Sequence, residues 1–244
     1  PVYPKLTLIR CVLMHFGFFI FFISLEKLSL STVTALFFAA PFFITILSAL
    51  VLSERIGLIR ILIIVLGFIG VFLIVKPFKE SEFSFFMLAP LFTAFSYAVA
   101  MVISKYTKEN ENAFLQAFQQ YSVSLLLSVI TYIIILVFPL DLIDTEEWRF
   151  IFGSIKFDNY NILISIAILS IFGTLGMTSL IHAYQVGSPI TNGPTEYVLL
   201  ILAIINGYFF FGNIPDYLSL AGIILIILGG WALFFREHQL NKIQ

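Results

Sequence analysis

Glu196 and Tyr197 head an apolar run, "GPTEYVLLILA" at 193–203. A carboxylate at that position can bind a cationic group or carry a proton. It can equally answer the positive end of a helix, with Asn192 as the cap and Pro194 in the first turn. Five residues into the apolar span 190–211, about 7–8 Å along the helix axis, Glu196 is expected in the cytoplasmic third of that span and not at the midplane. His15 lies near the middle of another apolar run, a turn or so from Arg10. A neutral imidazole there either ties two helices together or faces a cavity and relays a proton. His182 closes a third run beside Tyr184 and Gln185 and reads as an interfacial residue.

Polar residues also fall in stripes. Thr93, Ser96 and Tyr97 are spaced i, i+3, i+4 and share one helical face. Thr174 and Thr178 repeat the pattern, as do Gln116, Gln119 and Gln120. Each stripe alone can be explained as hydrogen-bonding glue between helices. Several together are more simply explained by one wet cavity, with Phe37, Phe38 and Pro41 as an apolar wall. The candidate lining residues are His15, Phe38, Thr93, Tyr97, Thr178, Glu196 and Tyr197.

These residues are carried by a chain of 244 residues that is 60% hydrophobic and 11% charged. A soluble domain of this size carries about 25% charged residues, so lipid is the expected solvent. A net charge of −1 and the lack of a basic cluster argue against a nucleic-acid partner. Cys11 is the single cysteine and reads as a small buried apolar residue. The opening "PVYPKLTLIR" does not have the order of a signal peptide.

A bilayer core about 30 Å thick needs about 20 apolar helical residues. Eight such runs are expected to cross it: 7–25, 32–52, 58–76, 84–104, 116–138, 160–180, 190–211 and 217–235. None alternates with a period of two, which excludes membrane strands. The fold class is therefore all-α and polytopic. The longest connection, 139–159, carries Trp148 as an interfacial anchor. Eight spans put both ends on one side. Lys5, Arg10, Arg55, Arg60, Lys105, Lys108, Arg236 and Lys242 then face Lys27, Lys76, Lys79, Arg149 and Lys156, which places both ends in the cytoplasm of an inner-membrane protein. Glu54, Arg55 and Arg60, and the "KENENAF" turn at 108–114, read as solvated charges.

Residues 24–70 and 183–230 follow one plan: span end, Ser-bearing turn, full span, short turn, Gly-punctuated span. A shift of 159 superimposes Ser29 on Ser188, Phe38 on Tyr197, Glu54 on Asn213 and Gly70 on Gly229. The copies lie five spans apart, an odd number, so they must point in opposite directions through the membrane. Internal repeats of this sort belong to secondary transporters. Five spans per copy make ten, so two further spans are expected ahead of Pro1. Where the two copies meet, a hydrophilic pocket is expected.

The stretches "ALFFAAPFFITILSALVLSERIGLIR" with "GFIGVFLIVKP", and "AYQVGSPITNGPTEYVLLILAIINGYFFFGNIPD" with "GGWALFFRE", resemble the two repeats of EamA-like transporters in the drug/metabolite transporter superfamily. The resemblance covers most of 8–237 and rests on the ordered series Tyr197, Gly207, Gly212, Pro215-Asp216, Arg236-Glu237. It implies ten helices in an inverted 5+5 bundle, a central cavity, and movement of small metabolites such as amino acids or S-adenosylmethionine, or of drugs. Two positions depart from the pattern: Asn213 where glutamate is common, and Leu202 where tryptophan is. The expected domains are an incomplete first repeat at 1–77, a second at 82–237, and a cytoplasmic tail at 238–244.

HExxH, CxxC, Walker and GxSxG patterns are absent, and the histidines at 15, 182 and 238 have no metal-ligand spacing. No cofactor, metal or catalytic residue is expected. The function implied is a permease for a small-molecule substrate, working by alternating access, with Glu196 or His15 to carry a coupled proton. The alternatives are a membrane enzyme acting on lipids, which would need clustered acids at one interface, and a non-transporting scaffold or sensor, which would have a sealed core. Substrate, direction and oligomeric state are open at this level.

Overall fold

The computed structural model describes residues 2–28, 30–53, 57–75, 85–137, 160–211 and 216–241. Among these residues the secondary structure is helical throughout. The helices are α1 (Pro4–Lys27), α2 (Leu30–Phe37), α3 (Ala40–Val51), α4 (Leu58–Val75), α5 (Leu88–Tyr106), α6 (Ala113–Val137), α7 (Tyr160–Val186), α8 (Pro189–Thr195), α9 (Val198–Phe211) and α10 (Tyr217–Asn241). Five stretches are long and apolar enough to cross a membrane: Pro4–Lys27, Val33–Val51, Phe85–Tyr106, Ala113–Ile134 and Ile162–Val186. The expected spans are thus present as helices, and the protein is all-α and polytopic. The connection around Trp148, the Glu54-Arg55 turn, Asn213 and the junction at 77–82 lie outside the described residues.

Two of these spans are interrupted. The run 32–52 is interrupted at Phe38-Ala39, between α2 and α3, and the run 190–211 at Glu196-Tyr197, between α8 and α9. Proline supplies the reason in both. Pro41 has no N–H to offer, and its ring crowds the carbonyl four residues back, so the helix restarts with Pro41 in its first turn. At the second break the proline comes before the interruption: Pro194 lies inside α8, two residues ahead of Glu196, and its missing N–H removes one bond of the last turn. The backbone tightens over each break. Ala39 N–H donates to Leu36 O at 3.1 Å and Phe42 N–H to Ala39 O at 3.0 Å. Glu196 N–H donates to Gly193 O at 3.1 Å and Tyr197 N–H to Pro194 O at 3.3 Å. The first interruption lies between apolar residues, "ALFFAAPFF", whereas the second follows the polar stretch "TNGPTE".

Helix directions follow from which residues meet. On α4 and α10, a side chain added at Gly70 would lie 2.9 Å from Gly222 O, and one at Gly229 3.8 Å from Ile63 O. As α4 advances from 63 to 70, its partner retreats from 229 to 222, so the two helices are antiparallel. The broken helices behave alike: Gly193 lies against Pro41 and Tyr197 against Phe38. The stretches expected to be inverted copies therefore do run in opposite directions.

The seam between α4 and α10 is dry. Gly70 and Gly222 allow the backbones to touch, and Ile226 and Val71 fill the space beside them. The expectation of a hydrophilic pocket wherever the two copies meet fails along this seam, because glycine and isoleucine leave no room or partner for water. Polar groups gather elsewhere, where α5 and α7 reach the break between α8 and α9.

Candidate functional site: a carboxylate in a helix break

Glu196 occupies the α8–α9 break, and two phenols converge on it. Tyr97 Oη donates to Glu196 Oε1 at 2.7 Å, and Tyr184 Oη donates to the same oxygen at 2.5 Å. Charge-assisted hydrogen bonds of this length are the strong ones. Oε2 receives no hydrogen bond among the described residues, and no lysine or arginine there pairs with the carboxylate. A carboxylate offers about four lone-pair positions, so one of its two oxygens remains able to accept a donor.

Each partner is placed by its own helix. Tyr97 lies on the buried face of α5, which packs along α1 through Thr93 and Gly17. Tyr184, 1% exposed, lies in the last turns of α7. Aromatic rings complete the surroundings. Phe37 is tilted against Tyr97 with centroids 5.6 Å apart, and Phe38 against Tyr197 at 5.7 Å. Tyr197 also lies on Gly67 of α4, where any side chain would collide with its ring. Tyr197 Oη donates to Phe38 O at 3.4 Å. A carboxylate tied to two phenols in an aromatic neighbourhood suits an organic cation, which the charge attracts and a ring quadrupole can hold. It does not suit an anion.

Phe38 and Tyr197 are equivalent under the shift of 159, and they touch. Each is eight residues from the start of its broken helix, Leu30 or Pro189, about 12 Å of helix. The two helices start from opposite ends of the bundle, so the contact lies at mid-height. Glu196, the adjacent residue, is therefore central and not in the cytoplasmic third. The capping expectation fails as well. Ser188 precedes α8 as its cap residue, while Asn192 donates from Nδ2 to Ala183 O at 2.6 Å.

Of the seven candidates, Phe38, Tyr97, Glu196 and Tyr197 come together. Thr93 sits a turn from Tyr97, but its hydroxyl is within bonding distance of Gly17 O (2.7 Å) and Ala89 O (3.1 Å), so it ties α1 to α5. His15 lies apart, in an open cleft of about 380 Å³ between α1, α6 and α7, beside Gln120, Tyr121 and Ser124. Thr178 donates to Thr174 O at 2.8 Å and lines a second cleft of about 250 Å³ with Tyr121 and Ser122. The polar stripes thus do not converge on one cavity among the described residues. Tyr184 was missed because nothing local marks it; it reaches Glu196 only through the turn at Gly187-Ser188. Glu111, expected to be solvated in its turn, is 2% exposed and accepts from Thr7 Oγ1 at 3.3 Å.

The profile described as the EamA-like transporter family matches residues 3–76 and 84–235. An S-adenosylmethionine uptake transporter of Rickettsia conorii is 26% identical over 239 residues, covering 97% of this chain and 74% of the relative. The pseudopaline exporter CntI of Pseudomonas aeruginosa is 25% identical over 228 residues, covering 93% and 74%. A crystal structure with a TM-score of 0.77 and 14% identity covers 96% of this chain and 77% of its own, which is a likeness of fold.

Proposed function

The chain belongs to the EamA-like transporter family and is a multi-pass membrane transporter, not an enzyme; we propose that its cargo is a small organic cation, an amino acid or a related amine- or sulfonium-bearing metabolite, held at Glu196. The observation that carries this reading is the asymmetry of the carboxylate. Oε1 is shared by Tyr97 and Tyr184, and Oε2 is left to meet a ligand donor. Phe37, packed on Tyr97, and Phe38, packed on Tyr197, are the aromatic residues that extend such a site through contact.

Alternating access requires a site that two oppositely oriented halves can uncover in turn. The contact of Phe38 with Tyr197 marks where those halves meet, and the breaks beside them let each helix bend without unwinding throughout. In this reading the halves are the repeats at 1–77 and 82–237, the membrane is the inner membrane, and both ends face the cytoplasm. A proton replaces the cation on Glu196 when the site empties, so proton movement is coupled to cargo. His15, outside the aromatic group, borders the α1–α6–α7 cleft and serves access and not binding. One relative is named for uptake and another for export, so direction is not inherited from either.

The test is transport in proteoliposomes with a panel matched in size and differing in charge: cationic, zwitterionic, neutral and anionic. Saturable movement of amine- or sulfonium-bearing members, driven by a pH step, supports the reading. Preference for anions, or indifference to charge, overturns it.

A further inference from the structure

A second group of buried polar side chains joins one end of α1, α5, α6 and α7. Arg10, 1% exposed, donates from Nη2 to Gln116 O at 3.2 Å and to Gln119 Oε1 at 2.9 Å. Gln116 Nε2 reaches Ser104 O, Thr107 Oγ1 and Glu111 O within 3.3 Å. Gln185 Nε2 donates to Glu111 O at 2.8 Å. The Lys105 ammonium sits in a cup of carbonyls at the end of α7: Gln185 at 2.8 Å, Val186 at 3.3 Å and Gly187 at 2.6 Å. A cation there also answers the negative end of the helix.

We propose that this knot is the seal at the lysine-bearing end of the transporter, and that occupation of Glu196 loosens it. A transporter must close one end of its path while the other is open, and this end is tied by side-chain hydrogen bonds beside a small apolar cluster of Ala113, Ala117 and Ile181. Such bonds can be exchanged for water at small net cost. Arg10 Nε, Glu111 Oε2, Gln116 Oε1 and Gln120 Oε1 are buried without a protein partner, so the knot is not saturated and yields more readily than a fully paired network.

Two helices connect the knot to the site. On α5, Tyr97 binds Glu196 and Lys105 enters the knot; on α7, Tyr184 binds Glu196 and the next residue, Gln185, enters the knot. A cation that draws Glu196 away from its phenols removes the central tie of both helices at once. The coupling rests on the proposed role of Glu196; the seal does not.

Cys11 provides the reporter. It is the chain's single cysteine, fully buried, adjacent to Arg10, and its carbonyl accepts from Gln120 Nε2 at 3.2 Å. The experiment measures its modification by a membrane-impermeant methanethiosulfonate added from either side of oriented vesicles, with no cargo required. Lys105→Met and Arg10→Met should speed labelling from the lysine-bearing side about tenfold, as expected for losing one or two charge-assisted bonds. Gln185→Leu, a milder change, should give about threefold, and Lys105→Arg should stay near the parent rate. Tyr184→Phe, which touches none of the knot's bonds, should also speed labelling. Unchanged rates in Lys105→Met and Gln185→Leu, or equal acceleration from both sides, overturn the seal. Acceleration by those two but not by Tyr184→Phe overturns the coupling alone. Failure of the charge panel above, with Cys11 labelling still responsive, refutes the cargo and leaves the seal.

Discussion

The α4–α10 seam and the junction of α5, α7 and the α8–α9 break both bring helices into close contact, by opposite means. At the seam, glycines remove side chains until backbones touch, and the contact is apolar. At the junction, a carboxylate and two phenols tie three helices through hydrogen bonds to one oxygen atom. Van der Waals packing is lost steeply when surfaces separate, whereas a hydrogen bond lost to a neighbour can be remade with water or a ligand. The seam is built to persist and the junction to exchange partners.

The largest effect should come from filling the seam. Gly222→Leu places a side chain where even Cβ would lie 2.6 Å from Gly70 O and 2.7 Å from an Ile74 carbon, so the backbones must part. Overpacking of this kind costs about 1–3 kcal/mol or more, and thermal unfolding in detergent should show a lowered midpoint and reduced yield. Normal stability in that variant would mean the seam is looser than described. At the junction the expected pattern is reversed. Glu196→Gln should leave the unfolding midpoint within a few degrees of the parent while transport falls about a hundredfold, the scale of a lost charge-assisted contact of ~2–3 kcal/mol.

Tyr97→Phe and Tyr184→Phe should each change KM by about fivefold to tenfold, consistent with one hydrogen bond, and the double variant should depart from additivity because both phenols share Oε1. Strict additivity in a double-mutant cycle would show that the phenols act independently. The smallest effect belongs to Thr93→Val. It removes the bond to Gly17 O, should lower stability by about 1 kcal/mol, and should leave KM unchanged even though Thr93 is one turn from Tyr97.

The helices and their directions were readable in the sequence because apolar runs of membrane length and an odd separation between copies carry that information locally. The equivalence of Phe38 and Tyr197 was readable for the same reason, but their contact was not. The breaks were harder: Pro41 marks the first within an otherwise apolar run, and the polar stretch "TNGPTE" that leads into the second reads equally well as the start of a helix. Glu196 stood out as a charge in oil, yet its role depended on Tyr184, which approaches by way of a turn and has no periodic relation to it. Glu111 misled for the converse reason. "KENENAF" has the composition of a solvated turn, and only Thr7, Gln116 and Gln185, arriving from three helices, enclose it. His15 and Thr178 followed the same helical-face logic as Tyr97, but α6 and α7 turn those faces toward separate clefts.

Glu196 as the shared seat of cation and proton is tested most directly by equilibrium binding in nanodiscs, using the best-transported cation from the charge panel, between about pH 5 and pH 9. Affinity in the parent protein should rise with pH as protons leave the carboxylate, and Glu196→Gln should bind about a hundredfold more weakly with no pH dependence. Binding of equal strength in parent and Glu196→Gln, or a pH dependence that survives the substitution, would place the cation elsewhere.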